Sequence, residues 1–204
     1  MTRLVALATL SALALGTPPR TQEAFVNWES AHVHPLELTP DRTRLLAVNT
    51  ADNRLEVFDV SAGTAVASAA IPVGLDPVSV RARTNVEAWV VNRISDSVSV
   101  VNLVTRTVVA TLRTEDEPAD VVFAGTPRRA FVSCSGSEAV LVFDPANLAL
   151  APQRVALFGE QPRALAVSAD GARVFVAFFE SGNRTTLLGS GGIQPGDYPP
   201  NVLG

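Results

Sequence analysis

The stretches LEVFD (residues 55–59), VSVVN (98–102) and AVLVFD (139–144) carry the internal repeat of this 204-residue chain. Each is a short apolar run that ends in Asp or Asn, and these endings recur at intervals of 43 and 42 residues. Four X-Pro dipeptides keep the same phase, since the residues that precede their prolines are 42, 41 and 44 positions apart. A period of about 40–45 residues with several short strands per unit is typical of propeller blades.

Each unit resolves into short β runs separated by turn residues. The predicted strands are 36–38, 45–48, 55–58 and 66–71 in the first unit, 78–80, 88–91, 98–101 and 107–112 in the second, and 120–123, 130–132, 140–143 and 154–157 in the third. A fourth unit supplies only 164–167, 174–178 and 185–188. No window of the repeat has helical periodicity. The sequence therefore predicts an all-β propeller of four-stranded antiparallel blades, about three and a half of which are present, in units near 34–75, 76–116, 117–160 and 161–188.

The second and third strands of each unit are expected to form the core between neighbouring blades. One alternating set of their side chains is apolar, as expected of strands packed between sheets. The residues expected to be buried are Leu46, Val48, Val57, Trp89, Val91, Val100, Phe131, Val142 and Phe175.

The two ends of the chain differ from the repeat. Residues 4–15 are an uninterrupted run of apolar and small residues after Arg3, followed by Gly16. Twelve residues are too few for a transmembrane span, which needs about 20, but they suit a signal peptide that ends at residue 16. Residues 17–33 then lead into the first blade, and the Gly- and Pro-rich residues 189–204 form a linker or loop. We expect export to the bacterial periplasm, the cell surface or the medium.

Composition excludes several classes of chemistry. All 16 basic residues are arginines, so the chain has neither the lysine of a phosphate-binding P-loop nor one for Schiff-base catalysis. Its single cysteine, Cys134, excludes a disulfide framework, a Cys-rich zinc site and a haem attachment motif. The net charge of −4 argues against nucleic acid as a partner.

The second strands of the four units read LAVN (46–49), WVVN (89–92), FVSC (131–134) and FVAF (175–178). They resemble the Tyr-Val-Thr-Asn signature of the YVTN family of β-propeller repeat proteins, and the resemblance extends over residues 34–188. The signature asparagine is matched only at Asn49 and Asn92. The resemblance implies a segment of a seven-bladed, exported propeller, so we expect that further blades belong to the native protein. Similar propellers include surface-layer proteins, lactonase-like enzymes and redox-enzyme subunits.

The residues before the repeat prolines are the first candidate site. All four are polar, and they would begin the innermost strand of each blade: His34, Asp76, Glu117 and Gln161. As a ring at one channel mouth they would bind a cation or a polar ligand. The alternative is that they are solvated turn residues with the extended backbone that X-Pro favours.

Two further clusters suggest a cation site. His32 and His34 alternate on a predicted strand and would present two imidazoles to a metal, with Glu29 or Glu37 as a third ligand. The alternative is an ordinary first strand. An acidic cluster in a predicted loop, residues 115–117 with Asp120, would also attract a cation. Cys134 is expected to be buried and unreactive.

Two functions follow from these residues. The first is an exported, non-catalytic binding or scaffold module whose partner is an unidentified protein or small molecule. The alternative is a lactonase-like or metal-dependent hydrolase that uses polar residues at the channel mouth. A divalent cation is the cofactor that the candidate residues suggest. Because an open propeller leaves blade edges unpaired, self-association through them is also expected.

Overall fold

The fold is described for residues 32–180 of the computed structural model. These residues form three four-stranded antiparallel sheets and one two-stranded sheet, in chain order, with no helix among them. The predicted all-β architecture of four-stranded blades is therefore confirmed. The predicted signal peptide, the linker 189–204, the strand 185–188 and Glu29 lie outside the described residues.

The four sheets are named blades 1 to 4. Blade 1 contains β1 (Leu36–Leu38), β2 (Arg44–Asn49), β3 (Arg54–Asp59) and β4 (Val66–Pro72). Blade 2 contains β5 (Pro77–Ala82), β6 (Glu87–Asn92), β7 (Ser97–Asn102) and β8 (Thr107–Arg113). Blade 3 contains β9 (Pro118–Ala124), β10 (Arg129–Cys134), β11 (Ala139–Phe143) and β12 (Gln153–Ala156), and blade 4 contains β13 (Glu160–Val167) and β14 (Val174–Glu180).

Successive strands of each blade pair in antiparallel register, so every blade is a meander joined by short turns. Arg42, Asn53, Asp96 and Arg106 in these turns have positive φ angles of 45° to 59°. The turn residues that mark the strand boundaries in sequence are therefore the places where the backbone reverses direction.

The core lies in two layers between blades. One layer joins blades 1 and 2 and contains Leu46, Leu55, Val57, Ile71, Val80, Ala88, Val90, Val101 and Leu103. The other joins blades 2 and 3, where Trp89 makes T-shaped contacts with Phe123 and Phe143, whose ring centroids are 5.4 and 6.3 Å away. Blade 2 is thus covered on both faces, which explains why β6 and β7 are buried along almost their whole length.

Four members of the predicted core are less buried than expected. Val48, Phe131 and Val142 are half-buried, and Phe175 is 56% exposed. Phe131 and Phe175 occupy the place in blades 3 and 4 that Trp89 occupies in blade 2, on the face directed toward the following blade. Among the described residues blade 3 is followed only by two strands and blade 4 by none. The predicted alternation of faces is therefore confirmed for these strands, but the burial of Phe131, Val142 and Phe175 depends on the blade that follows. Val48 faces the complete blade 2 and packs against the layer between blades 1 and 2 while staying half-buried.

Candidate functional site

The candidate site lies on the inner strands β1, β5, β9 and β13, which begin the four blades. Neighbouring inner strands are in contact, and His34 forms a parallel bridge with Ser79 of blade 2. Polar contacts also cross between them: Ser79 Oγ donates to the Ala119 carbonyl at 2.7 Å, and the Leu165 backbone N–H donates to Asp120 Oδ2 at 3.0 Å. The inner strands consequently place side chains from different blades beside one another.

The four residues before the repeat prolines each have their own surroundings. Asp76 is buried, and its backbone N–H donates to Asn53 Oδ1 of the preceding blade at 2.8 Å. Glu117 pairs with Arg93 at 2.8 Å, whereas Gln161 is exposed. A shared ligand-binding ring of these four residues stays a prediction.

The alternative interpretation predicted an extended backbone at these four positions, and that prediction is wrong for three of them. Asp76, Glu117 and Gln161 have φ angles of 59°, 52° and 51°, in the left-handed region. A hydrogen bond from the preceding blade holds this turn, as Glu117 N donates to Asp96 Oδ1 at 3.1 Å. The left-handed residue turns the chain from the outer strand of one blade onto the inner strand of the next.

The two histidines have different partners. His32 Nε2 lies 2.5 Å from Thr50 Oγ1, and His34 Nε2 lies 2.6 Å from Glu37 Oε2. In the part of the chain described here, no group of three or more His, Cys, Asp or Glu side chains is placed to hold a metal ion. The proposed two-histidine metal site stays a prediction.

A row of charged side chains connects three blades. Glu37 of β1 lies 3.8 Å from Arg81 Nη1 of β5, and Arg81 Nη2 lies 3.0 Å from Asp120 Oδ2 of β9. Glu37 and Arg81 are about three-quarters buried, and Asp120 is fully buried. Sequence reasoning missed Arg81 altogether. The sequence did contain a signal for it, because Arg81 is a charged residue within the largely apolar first strand of blade 2.

A cleft of about 360 Å³ adjoins this row. Its walls include Glu37 and Arg81, the end of β13, and the turns that follow β9 and β13. Arg128 in the first of these turns contributes a second guanidinium, which lies 5.8 Å from the centre of the Phe123 ring. The cleft therefore offers two positive groups and one carboxylate, a combination suited to a polar or anionic organic ligand.

The residues of the predicted acidic cluster, 115–117 with Asp120, do not share one loop. The prediction that Asp120 lies in a loop is wrong. Asp120 lies within β9 and is directed into the blade interface. Glu115 instead pairs with Arg154 Nε at 2.8 Å on the outer strand. The predicted strand 120–123 is confirmed and begins two residues earlier, at Pro118, so Asp120 belongs to the strand and not to the loop.

Cys134 is fully buried in the layer between blades 2 and 3, as expected. Burial raises the pKa of its thiol to about 12. Because a thiol acts as a nucleophile only when it is deprotonated, Cys134 has no part in the chemistry of the cleft.

No helix in residues 32–180 is long and apolar enough to cross a membrane.

Solved structures with the same fold come from proteins of different kinds. The hydrazine synthase of Kuenenia stuttgartiensis superposes with a TM-score of 0.66 at 22% identity, over 77% of this chain and 45% of that one. A putative 6-phosphogluconolactonase from Bacteroides uniformis gives 0.61 at 19% identity, over 72% and 47%. A functionally unknown protein from Desulfotomaculum acetoxidans gives 0.56 at 16% identity, over 69% and 50%. The chain thus spans about half the length of these proteins, and the likeness shows the fold alone.

The sequence itself points to one family. No curated protein matches the chain. The family model described as lactonase, 7-bladed beta-propeller, matches residues 15–188, which include every blade described above. The chain therefore belongs to the lactonase family of seven-bladed β-propellers.

Proposed function

We propose that this protein hydrolyses a polar lactone at the edge of the cleft, where Glu37 of the cleft wall meets His34 beside it. The observation that carries the proposal is the pair formed by His34 and Glu37, with Nε2 and Oε2 2.6 Å apart and Arg81 Nη1 3.8 Å from the same carboxylate oxygen. Membership of the lactonase propeller family supports it, as does the likeness to a putative 6-phosphogluconolactonase.

A histidine that is hydrogen-bonded to a carboxylate, as His34 is to Glu37, can act as a general base. When Glu37 accepts the hydrogen bond of a protonated Nε2, the lone pair of the His34 ring lies on Nδ1. Nδ1 would take a proton from water as the water oxygen bonds to the lactone carbonyl carbon. The ring C–O bond would then break, and the leaving alkoxide would receive the proton from His34.

Arg81 supplies the charge that this reaction needs. Attack on the carbonyl places a negative charge on its oxygen, and a guanidinium in a partly dry site stabilises such a charge more strongly than water does. Arg81 is 22% exposed, so its guanidinium is largely removed from water. Arg128, which also lines the cleft, would bind a polar substituent of the substrate.

The experiment is a pH-stat assay of the purified 204-residue chain with five- and six-membered sugar lactones, corrected for spontaneous hydrolysis. General acid–base catalysis contributes about 100- to 10,000-fold, so Glu37→Gln and His34→Asn should each lower kcat by about 100-fold or more. Glu115→Gln is the matched control, because it removes a carboxylate that pairs with an arginine on the outer strand of blade 3. It should keep the wild-type rate.

Titration calorimetry with the same lactones separates hydrolysis from binding. Glu37→Gln should still bind the substrate of the wild type. Binding without turnover by the wild type would support the non-catalytic binding module instead. The hydrolase proposal is overturned if folded wild-type protein opens no lactone, or if Glu37→Gln is as active as Glu115→Gln.

The location of the protein is a separate proposal. Export is supported by residues 4–15 together with small residues at Ala14 and Gly16. Mass spectrometry of exported protein should find an amino terminus near Thr17, whereas an intact Met1 on cytoplasmic protein would contradict export.

A further inference from the structure

Asp120 is a fully buried carboxylate in the middle of the inner strands. Its Oδ1 accepts the backbone N–H of Val121 at 2.8 Å, and its Oδ2 accepts the backbone N–H of Leu165, from blade 4, at 3.0 Å. Arg81 of blade 2 adds two contacts, Nε to Oδ1 at 3.3 Å and Nη2 to Oδ2 at 3.0 Å. Both carboxylate oxygens are therefore used, and Asp120 joins blades 2, 3 and 4.

This geometry fixes the plane of the Arg81 guanidinium. A buried carboxylate is costly unless it is paired and hydrogen-bonded, and the planar fork of arginine matches its two oxygens. With Nε and Nη2 on Asp120, the third nitrogen, Nη1, is the one that faces Glu37 at 3.8 Å. A lysine could not hold both carboxylates in this way, because its ammonium is a single point charge on a flexible stem.

Asp120 does not itself line the cleft, whereas Arg81 and Glu37 do. We infer that Asp120 is a positioning residue for the reaction proposed above, on which this inference rests: it holds the Arg81 guanidinium across the blade interface so that Nη1 is presented to Glu37 and the cleft. The carboxylate acts through Arg81 and touches no substrate.

The kinetic test is Asp120→Asn, which keeps the shape of the side chain and replaces one acceptor oxygen by a donor. A displacement of about 1 Å costs about 100-fold in rate, so kcat should fall by about that factor while KM changes by less than about threefold. The double variant with Arg81→Lys should be no slower than Arg81→Lys alone, because both changes remove the same interaction.

The matched control is Asp144→Asn. Like Asp120, Asp144 forms an ion pair with an arginine, but that arginine, Arg129, is in the same blade, and Asp144 lies outside the cleft. If Asp120 had only a structural role, Asp120→Asn and Asp144→Asn would both lower stability, and kcat would fall no further in Asp120→Asn than in Asp144→Asn. That outcome would overturn the inference.

A second readout does not depend on activity. In the wild type the Arg81 Nε–H should give a slowly exchanging nitrogen–proton cross-peak, identified by its absence in Arg81→Lys. Asp120→Asn should abolish this slow exchange, and Asp144→Asn should retain it. If the wild type opens no lactone, the proposed function fails, but an unchanged Arg81 signal in Asp120→Asn would still refute the positioning role. Should Asp120→Asn fail to fold, Asp120→Glu is expected to keep the charge and to fold, but to move the same signal and lower kcat.

Discussion

Replacement of Trp89 by alanine should remove the largest single contribution to the interface between blades 2 and 3. Trp89 is completely buried, and its ring makes T-shaped contacts with the rings of Phe123 and Phe143. Its indole Nε1–H also donates to Glu87 Oε1 at 2.8 Å. The variant loses the transfer free energy of the side chain and leaves a cavity that two aromatic rings cannot easily fill.

The expected loss follows from those contacts. Truncation of a buried Phe or Trp to alanine costs about 3–5 kcal/mol, and the two edge-on ring contacts place Trp89 near the upper end, at about 4–5 kcal/mol. Domains of this size are stable by about 5–15 kcal/mol, so Trp89→Ala should be barely folded. Trp89→Phe keeps most of the ring but loses the Nε1–H bond, and it should cost about 1–2 kcal/mol.

Urea unfolding followed by far-ultraviolet circular dichroism measures these free energies without relying on tryptophan fluorescence. Phe175→Ala is the control, since Phe175 occupies the corresponding place in blade 4 but is 56% exposed. Its cost should stay below about 1 kcal/mol. If Trp89→Ala cost no more than Phe175→Ala, the assignment of the core to the interfaces between blades would be refuted.

Three further predictions concern the thiol, acid stability and association. Because burial raises the pKa of Cys134 to about 12, a thiol reagent at about pH 8 should label it only after unfolding, and rapid labelling of native protein would contradict this. Four aspartates have a lowered pKa because a hydroxyl or backbone N–H two residues away donates to each. They are Asp41, Asp59, Asp144 and Asp170. Because the pKa of each is lower in the folded state than in the unfolded state, these carboxylates stabilise the fold at neutral pH, and this contribution should be lost as the pH falls below about 4. Measurement of the melting temperature as a function of pH would show the loss. Phe179 on blade 4 is 69% exposed, so light scattering should detect association that rises with protein concentration and falls in Phe179→Ser; a monomer at all concentrations would contradict it.

Much of each blade could be predicted because its determinants are local in sequence. Alternating apolar side chains and turn residues every few positions specify where strands begin and end, and the predicted strand ends agree with the observed ones to within four residues. The differences between predicted and observed strand ends also have a local cause. Turn residues such as Asn49 and Asn92 still pair with the neighbouring strand, and so they count as strand in the structure.

The candidate site could be predicted only in part. His34 was singled out because of its place before a repeat proline, and Glu37 as a possible ligand beside it. Nothing local indicated that Arg81 would meet Asp120, which is 39 residues further along the chain. That contact exists because equivalent strands of successive blades pack side by side.

The sequence by itself determined the repeat, the all-β class and the alternation of each strand, since these depend on residues within one turn or one hairpin. The tertiary structure decided which alternating faces are buried and which charges meet. Phe131 and Trp89 occupy equivalent positions in their blades, yet Trp89 is fully enclosed and Phe131 is not, because Trp89 faces the four strands of blade 3 and Phe131 faces the two described strands of blade 4. Burial and ion pairing are properties of two surfaces in contact, and a single strand specifies only one of them.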